Sequence, residues 1–126
     1  MFKFYFRKVK VKRNKINRKE FLEKKETARN LVLNRLLHYN QYYKLNWNKV
    51  FIKNHTTRWG SCSSKKNLNF NYRIVDLPAH LADYIIVHEL CHLKEFNHSQ
   101  KFWDLVGERI QDYIKLINEL KNIKIK

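Results

Sequence analysis

The 126 residues predict one α+β domain, and three patterns carry that expectation. Phe2 to Lys12 and Asn67 to Tyr72 alternate in the manner of half-buried strands, whereas longer stretches repeat their apolar residues at helical spacing. Only two glycines and one proline punctuate the chain, while 44% of its residues are hydrophobic and 14% aromatic. That balance argues for a packed core rather than a disordered or loop-rich chain. The length suffices for a single core, so 1–126 reads as one domain, its first half (1–56) leading into a core over 57–121.

Each element has its own signal. Phe2, Phe4 and Phe6 point one way and Tyr5, Arg7, Val9 and Val11 the other, and charges blunt the far end of this strand. Asn17 reads as an N-cap with Glu20 three residues on, the box-like start of a helix from Arg18. Phe21, Leu22, Ala28, Leu31, Val32, Leu36 and Tyr39 give that helix its apolar stripe. Asn46 to Lys53 and Asn67 to Tyr72 follow as short strands, and Ser63 to Asn67 reads as the turn of a hairpin.

Pro78 then opens another helix. Leu81, Tyr84, Ile85, Ile86, Val87, Leu90 and Cys91 cover most of its circumference, which marks it as buried. Ser99 or Asn97 caps a last helical region, with Phe102, Trp103, Val106, Ile110, Tyr113, Ile114, Ile117 and Leu120 at helical spacing. The tail from Asn122 to Lys126 is expected to fray.

The chemistry concentrates in His88-Glu89-Leu90-Cys91-His92 and in His98, so three of the six histidines fall within eleven residues. Positions i and i+4 of a helix share a face, so His88 and His92 can ligate one Zn²⁺. Glu89 between them is placed to act on a water that completes the coordination shell. His98 offers a third ligand provided the chain turns back after Leu93. A Zn²⁺ held by three neutral imidazoles would keep one position open for water, lower that water's pKa and polarise a scissile carbonyl. Glu89 would take that water's proton and pass it to the leaving amine.

The spacing of the third histidine is that of metzincins, but Glu95 stands at their glycine position and the only methionine is Met1, which leaves no Met-turn. By position a distal carboxylate ligand would be Asp104 or Glu108. Cys91 projects off the ligand face and reads as core.

A formal charge of +16 has two readings. Nine basic residues precede Glu20 with aromatics interleaved, which suits non-specific contact with nucleic acid. Lysine outnumbers arginine, 19 to 8, amid abundant asparagine and isoleucine, the composition an AT-rich genome supplies. Cys62 and Cys91 form no C-x-x-C pair and read as reduced thiols. No apolar run approaches the length of a membrane span and the first residues lack a signal-peptide core, so a cytoplasmic protein is expected.

Four segments in order, Thr57 to Ser63, Asn67 to Phe70, Val87 to Leu93 and Asn97 to Trp103, resemble the YgjP-like metallopeptidase domain, a zincin group related to SprT-like and WLM proteases. The resemblance runs from about Thr57 to Tyr113. It implies a compact zincin-like fold, with a small antiparallel sheet packed on the H-E-x-x-H helix and further helices around it. It further implies a zinc site of His88, His92 and His98, with Glu89 as catalytic acid/base, and a peptide or protein substrate. Arg58, Trp59, Gly60 and Ser61 would belong to a sheet beside the cleft, where an edge strand pairs with extended substrate. Other expectations remain open: a zinc hydrolase of a non-peptide bond, or an SprT-like protein associated with nucleic acid. Oxyanion donors by proximity in sequence are Arg73, Tyr72 and Tyr84. The chain departs from the family in its short N-terminal portion and in lacking cysteines for a C-terminal zinc ribbon.

Overall fold

The structure is a computed structural model that describes residues 15–125; the strand expected over Phe2 to Lys12 lies outside them. In order come α1 (Lys15–Tyr43), β1 (Val50–Lys53), β2 (Gly60–Cys62), β3 (Leu68–Asn71), a 3-10 turn (Tyr72–Asp76), α2 (Ala79–Cys91), α3 (Gln100–Gly107) and α4 (Tyr113–Lys121). Among the described residues four helices and three strands make the expected α+β fold.

α1 begins at Lys15, so Asn17 lies within the helix rather than at its N-cap. Ala28, Val32 and Leu36, one helical turn apart, are fully buried and form its inner stripe, whereas Leu22 faces solvent. The helix ends where Asn40 bonds both backbone groups of Leu45, at 2.8 and 2.9 Å, and Lys44 adopts a positive φ of 55°. That loop delays the first strand, which starts at Val50 and not at Asn46.

The sheet is mixed rather than wholly antiparallel. Its order is β1-β3-β2; β2 runs antiparallel to β3, and β1 runs parallel to it. The reason is the 54–59 segment, which carries the chain past the central position before β2 forms. The hairpin then returns β3 into the vacant centre. Its turn is the expected one: Ser63 N–H donates to Asn67 O at 2.9 Å, Ser63 Oγ accepts from Asn67 N at 3.1 Å, and Lys66 takes a φ of 63°. Ile52, Phe70 and Gly60 are in register on one face of the sheet, and Phe51, Asn69 and Ser61 on the other.

α2 is the axis of the core. Leu81, Ala82 and every residue from Tyr84 to Cys91 are buried, as α1, β2, α3 and α4 pack around it. Arg35 on α1 grips Asp83 on α2 through two bonds of 2.8 Å, and Tyr39 donates to the same carboxylate at 3.0 Å. Beyond α2 the single helical repeat expected from Phe102 to Leu120 is broken over 108–112 into two helices. Phe102 and Val106 from α3, and Leu116 and Leu120 from α4, all reach the core, so the break folds one stripe back on itself.

Candidate metal centre

His88 and His92 stand one turn apart at the end of α2, His92 being its C-cap residue with φ −64° and ψ −18°. The chain then turns sharply: Glu95 N–H donates to Cys91 O at 3.0 Å, and Ser99 Oγ caps α3 by accepting from Phe102 N at 3.3 Å. This reversal returns His98 to the end of α2. The Nε2 atoms of the three histidines lie 3.2 Å (His88–His92), 3.0 Å (His92–His98) and 3.0 Å (His88–His98) apart. They form the one group of three or more His, Cys, Asp or Glu side chains, among the described residues, disposed to hold a metal ion.

The hydrogen bonds around this triangle fit a metal. His92 Nδ1 is 3.0 Å from Glu95 O, and a carbonyl only accepts, so Nδ1 carries the proton and Nε2 is left with its lone pair. His88 Nδ1 is 3.1 Å from Tyr84 Oη, which accepts from it when His88 takes the same tautomer. Imidazole nitrogens about 2.0–2.1 Å from a shared Zn²⁺ in a tetrahedral array stand roughly 3.3 Å apart, close to the spacing here. Three converging lone pairs without a cation between them would repel.

Aromatic rings pack against the imidazoles. Phe102 stacks on His92 at 4.3 Å, Trp103 stacks on His98 at 5.5 Å, and Tyr113 stacks on Trp103 at 5.1 Å. Burial pushes all three histidines below their ordinary 6.5, His98 to about 4, so they stay neutral as metal ligation requires. The charges of neighbouring imidazoles add to the effect at His88 and His98.

Glu89 is 1% exposed, and its Oε2 has no hydrogen-bond partner among the described residues. Burial raises its pKa well above 4.5, against the opposing charge of Arg58. β2 forms the facing wall. A Cβ at Gly60 would sit 3.0 Å from Glu89 Cγ, 3.1 Å from its Oε2 and 3.1 Å from the backbone oxygen of Asn69, so only glycine lets the strand come this close.

The other sequence candidates separate. Arg58 and Gly60 are brought to Glu89, whereas the Trp59 side chain is core at 4% exposure and Ser61 Oγ turns to the far face to accept from Asn69 Nδ2 at 3.2 Å. Asp104 accepts from Gln100 and Glu108 from Tyr42, and both are exposed, so neither joins the histidines. Cys91 and Cys62 are buried thiols pushed up to about 12, mainly by burial. Of the oxyanion candidates, Tyr84 faces His88, Tyr72 packs edge-on against Phe21 in the core, and Arg73 turns toward the 54–59 segment. His80 pairs with Glu119 at 2.9 Å beside a separate depression of about 380 Å³. Sequence reasoning missed Asn71, a fully buried amide in a strand, whose only local signal is its polarity amid apolar neighbours.

Residues 5–123 match the family described as YgjP-like, metallopeptidase domain. No curated protein matches the chain. Among solved structures, the metallopeptidase zymogen of Pyrococcus abyssi abylysin shares the fold, with a TM-score of 0.64 at 21% identity over 71% of this chain and 90% of that one. The metallopeptidase zymogen of Methanocaldococcus jannaschii jannalysin is 26% identical over 74% of this chain and 96% of that one, with a TM-score of 0.51.

Proposed function

Because the chain belongs to the YgjP-like metallopeptidase domain family, we propose that it is a zinc-dependent peptidase in which His88, His92 and His98 hold the ion and Glu89 moves the proton. The observation that carries this reading is the convergence of three Nε2 atoms within 3.0–3.2 Å while the other nitrogen of His92 is committed to a carbonyl. Three neutral imidazoles suit Zn²⁺ better than the oxygen-seeking Mg²⁺ or Ca²⁺. Zn²⁺ held there supplies a Lewis acid for the scissile carbonyl and acidifies a water enough to attack it near neutral pH.

The chain's own residues do the rest. Glu89 lies in the same buried wall as the histidines, and its raised proton affinity suits a group that first accepts a proton and then returns it to the leaving amine. Arg58 works against that rise, which keeps the carboxylate form accessible. Among the described residues β2 is the edge strand beside Glu89, pairing only with β3, with Gly60, Ser61 and Cys62 themselves buried. An extended peptide is the substrate this edge favours.

The test is zinc analysis of protein purified without added metal, alongside hydrolysis of a degenerate peptide library. Glu89→Gln should keep its zinc and lose about 10²- to 10⁴-fold in kcat, the span of general acid–base catalysis. His92→Ala should lose the metal. Full activity in the Gln variant would sink the mechanism.

A further inference from the structure

The 54–59 segment makes no strand of its own, yet it delivers Arg58 and Gly60 to Glu89. The carbonyls of His55 and Arg58 are taken by buried side chains, and that of Trp59 by a backbone N–H. Asn71 Nδ2 donates to His55 O at 2.7 Å and to Arg58 O at 2.9 Å, and Asn71 N–H donates to Trp59 O at 2.8 Å. The amide oxygen of Asn71 accepts from Arg73 N at 3.0 Å and from Arg73 Nη1 at 3.3 Å. Arg73 Nη1 reaches on to His55 O at 2.9 Å and Asn54 Oδ1 at 3.2 Å. Asn71 is fully buried and Arg73 is 6% exposed. Two polar side chains in a core are costly to desolvate; here four of their hydrogen bonds go to the 54–59 segment, and the Asn71 oxygen also caps the 3-10 turn by accepting from Arg73 N.

We infer that Asn71, backed by Arg73, is the positioning residue for Glu89: it holds the 54–59 segment so that Gly60 abuts the carboxylate. This rests on the peptidase reading for its consequence in catalysis. The transmission is steric. A Cβ added at Gly60 would meet Glu89 Cγ at 3.0 Å and Asn69 O at 3.1 Å, so the strand lies close against the carboxylate and a shift of the segment changes that packing. The histidines hang from α2 and the turn before α3, and the hydrogen bonds of Asn71 run to the 54–59 segment and to Arg73 instead, so metal binding is separable from this device.

Selective ¹⁵N-glycine labelling tests it directly, because the chain has two glycines and gives two amide peaks, Gly60 and Gly107. Glu89→Gln should move the Gly60 peak and leave Gly107 alone. In an Asn71→Ala background that response should be at least halved, whereas a residue that merely stabilises the fold would leave it intact. In zinc-loaded protein, Asn71→Ala should lower kcat by about 10- to 100-fold with KM little changed and zinc content at the wild-type level. Arg73→Lys, which keeps a donor for His55 O, should stay within about threefold of wild type.

The isosteric Asn71→Asp replaces the donor without removing bulk and carries the same measurements if the Ala variant does not fold. An undiminished response of the Gly60 peak to Glu89→Gln, an unchanged kcat, or a loss of activity that follows zinc content would each overturn the assignment. Wild-type protein that cleaves no peptide would count against the peptidase reading instead, with the glycine peaks still deciding the role of Asn71.

Discussion

At Gly60 a missing side chain sets the distance between a strand and a carboxylate. Gly60→Ala puts a methyl group 3.0–3.1 Å from three atoms, one of them the backbone oxygen of Asn69, which has little room to yield. The expected cost is about 1–3 kcal/mol of stability, as for other overpacked sites. A larger fractional loss of kcat than of zinc content should accompany it, measured by urea melts, peptide turnover and metal analysis. A variant as stable and active as wild type would show that β2 can retreat.

The histidines make a second prediction at this scale. In metal-free protein their native pKa values lie below the unfolded 6.5, so an unfolding chain takes up protons as pH falls past 6.5 that the native state takes up only at lower pH, for His98 at about 4. Their contribution is present above 6.5 and is lost on acidification. Glu89 acts oppositely, because its raised pKa favours the native state below 4.5 and that gain fades as pH rises. Three imidazoles outweigh one carboxyl, so the urea midpoint of the metal-free protein should fall between pH 6.5 and pH 4.5. A flat or rising midpoint would contradict the burial of these rings.

Among the elements, α3 does more than pack. Its N-cap is Ser99, immediately after His98, and it carries Phe102 and Trp103 against the His92 and His98 rings. Ser99→Ala removes the cap and should cost about 1 kcal/mol. Because the capped turn also fixes His98, zinc affinity should fall with it, whereas a cap at a helix remote from the site would lower stability alone. Competition with a chelator of known affinity separates these outcomes.

α2 shows what a sequence discloses about such elements. Its apolar residues cover most of the circumference, so His88, Glu89 and His92 in its buried second half read as polar groups in need of partners. The break between α3 and α4 did not stand out, since the apolar spacing continues through Val106 and Ile110 and only the fold back onto one core ends the helix. β1 was foreseen as a strand but not as a parallel one, because orientation depends on where the 54–59 segment carries the chain. Asn71 was invisible for a related reason. Its partners lie 13 and 16 residues away, and nothing local announces which carbonyls will face a buried amide.

On the scale of the whole molecule, one core serves both stability and chemistry. α2 supplies the largest share of that core and also two of the three histidines, so the site cannot loosen without the centre of the fold. A helix long and apolar enough to cross a membrane is absent among the described residues. Sequence periodicity was enough to identify this centre, and the candidate ligands were legible from spacing and from the resemblance of four ordered segments. The path by which the sheet reaches Glu89 required the three-dimensional contacts.

The two buried thiols carry a consequence of their own. Cys62 on β2 and Cys91 on α2 both feel the charge of Glu89, and burial above all holds both protonated, with pKa values of about 12. Disulfide exchange needs a thiolate that reagent can reach, and the folded protein offers neither condition. Modification by an aromatic disulfide should therefore be slow and should report opening of the protein's interior rather than intrinsic sulfur reactivity. Added Zn²⁺ should slow both cysteines together, as ligand binding lowers the population of opened molecules. The protein thus contains its own stopwatch for unfolding, readable without a fluorophore and without a substrate.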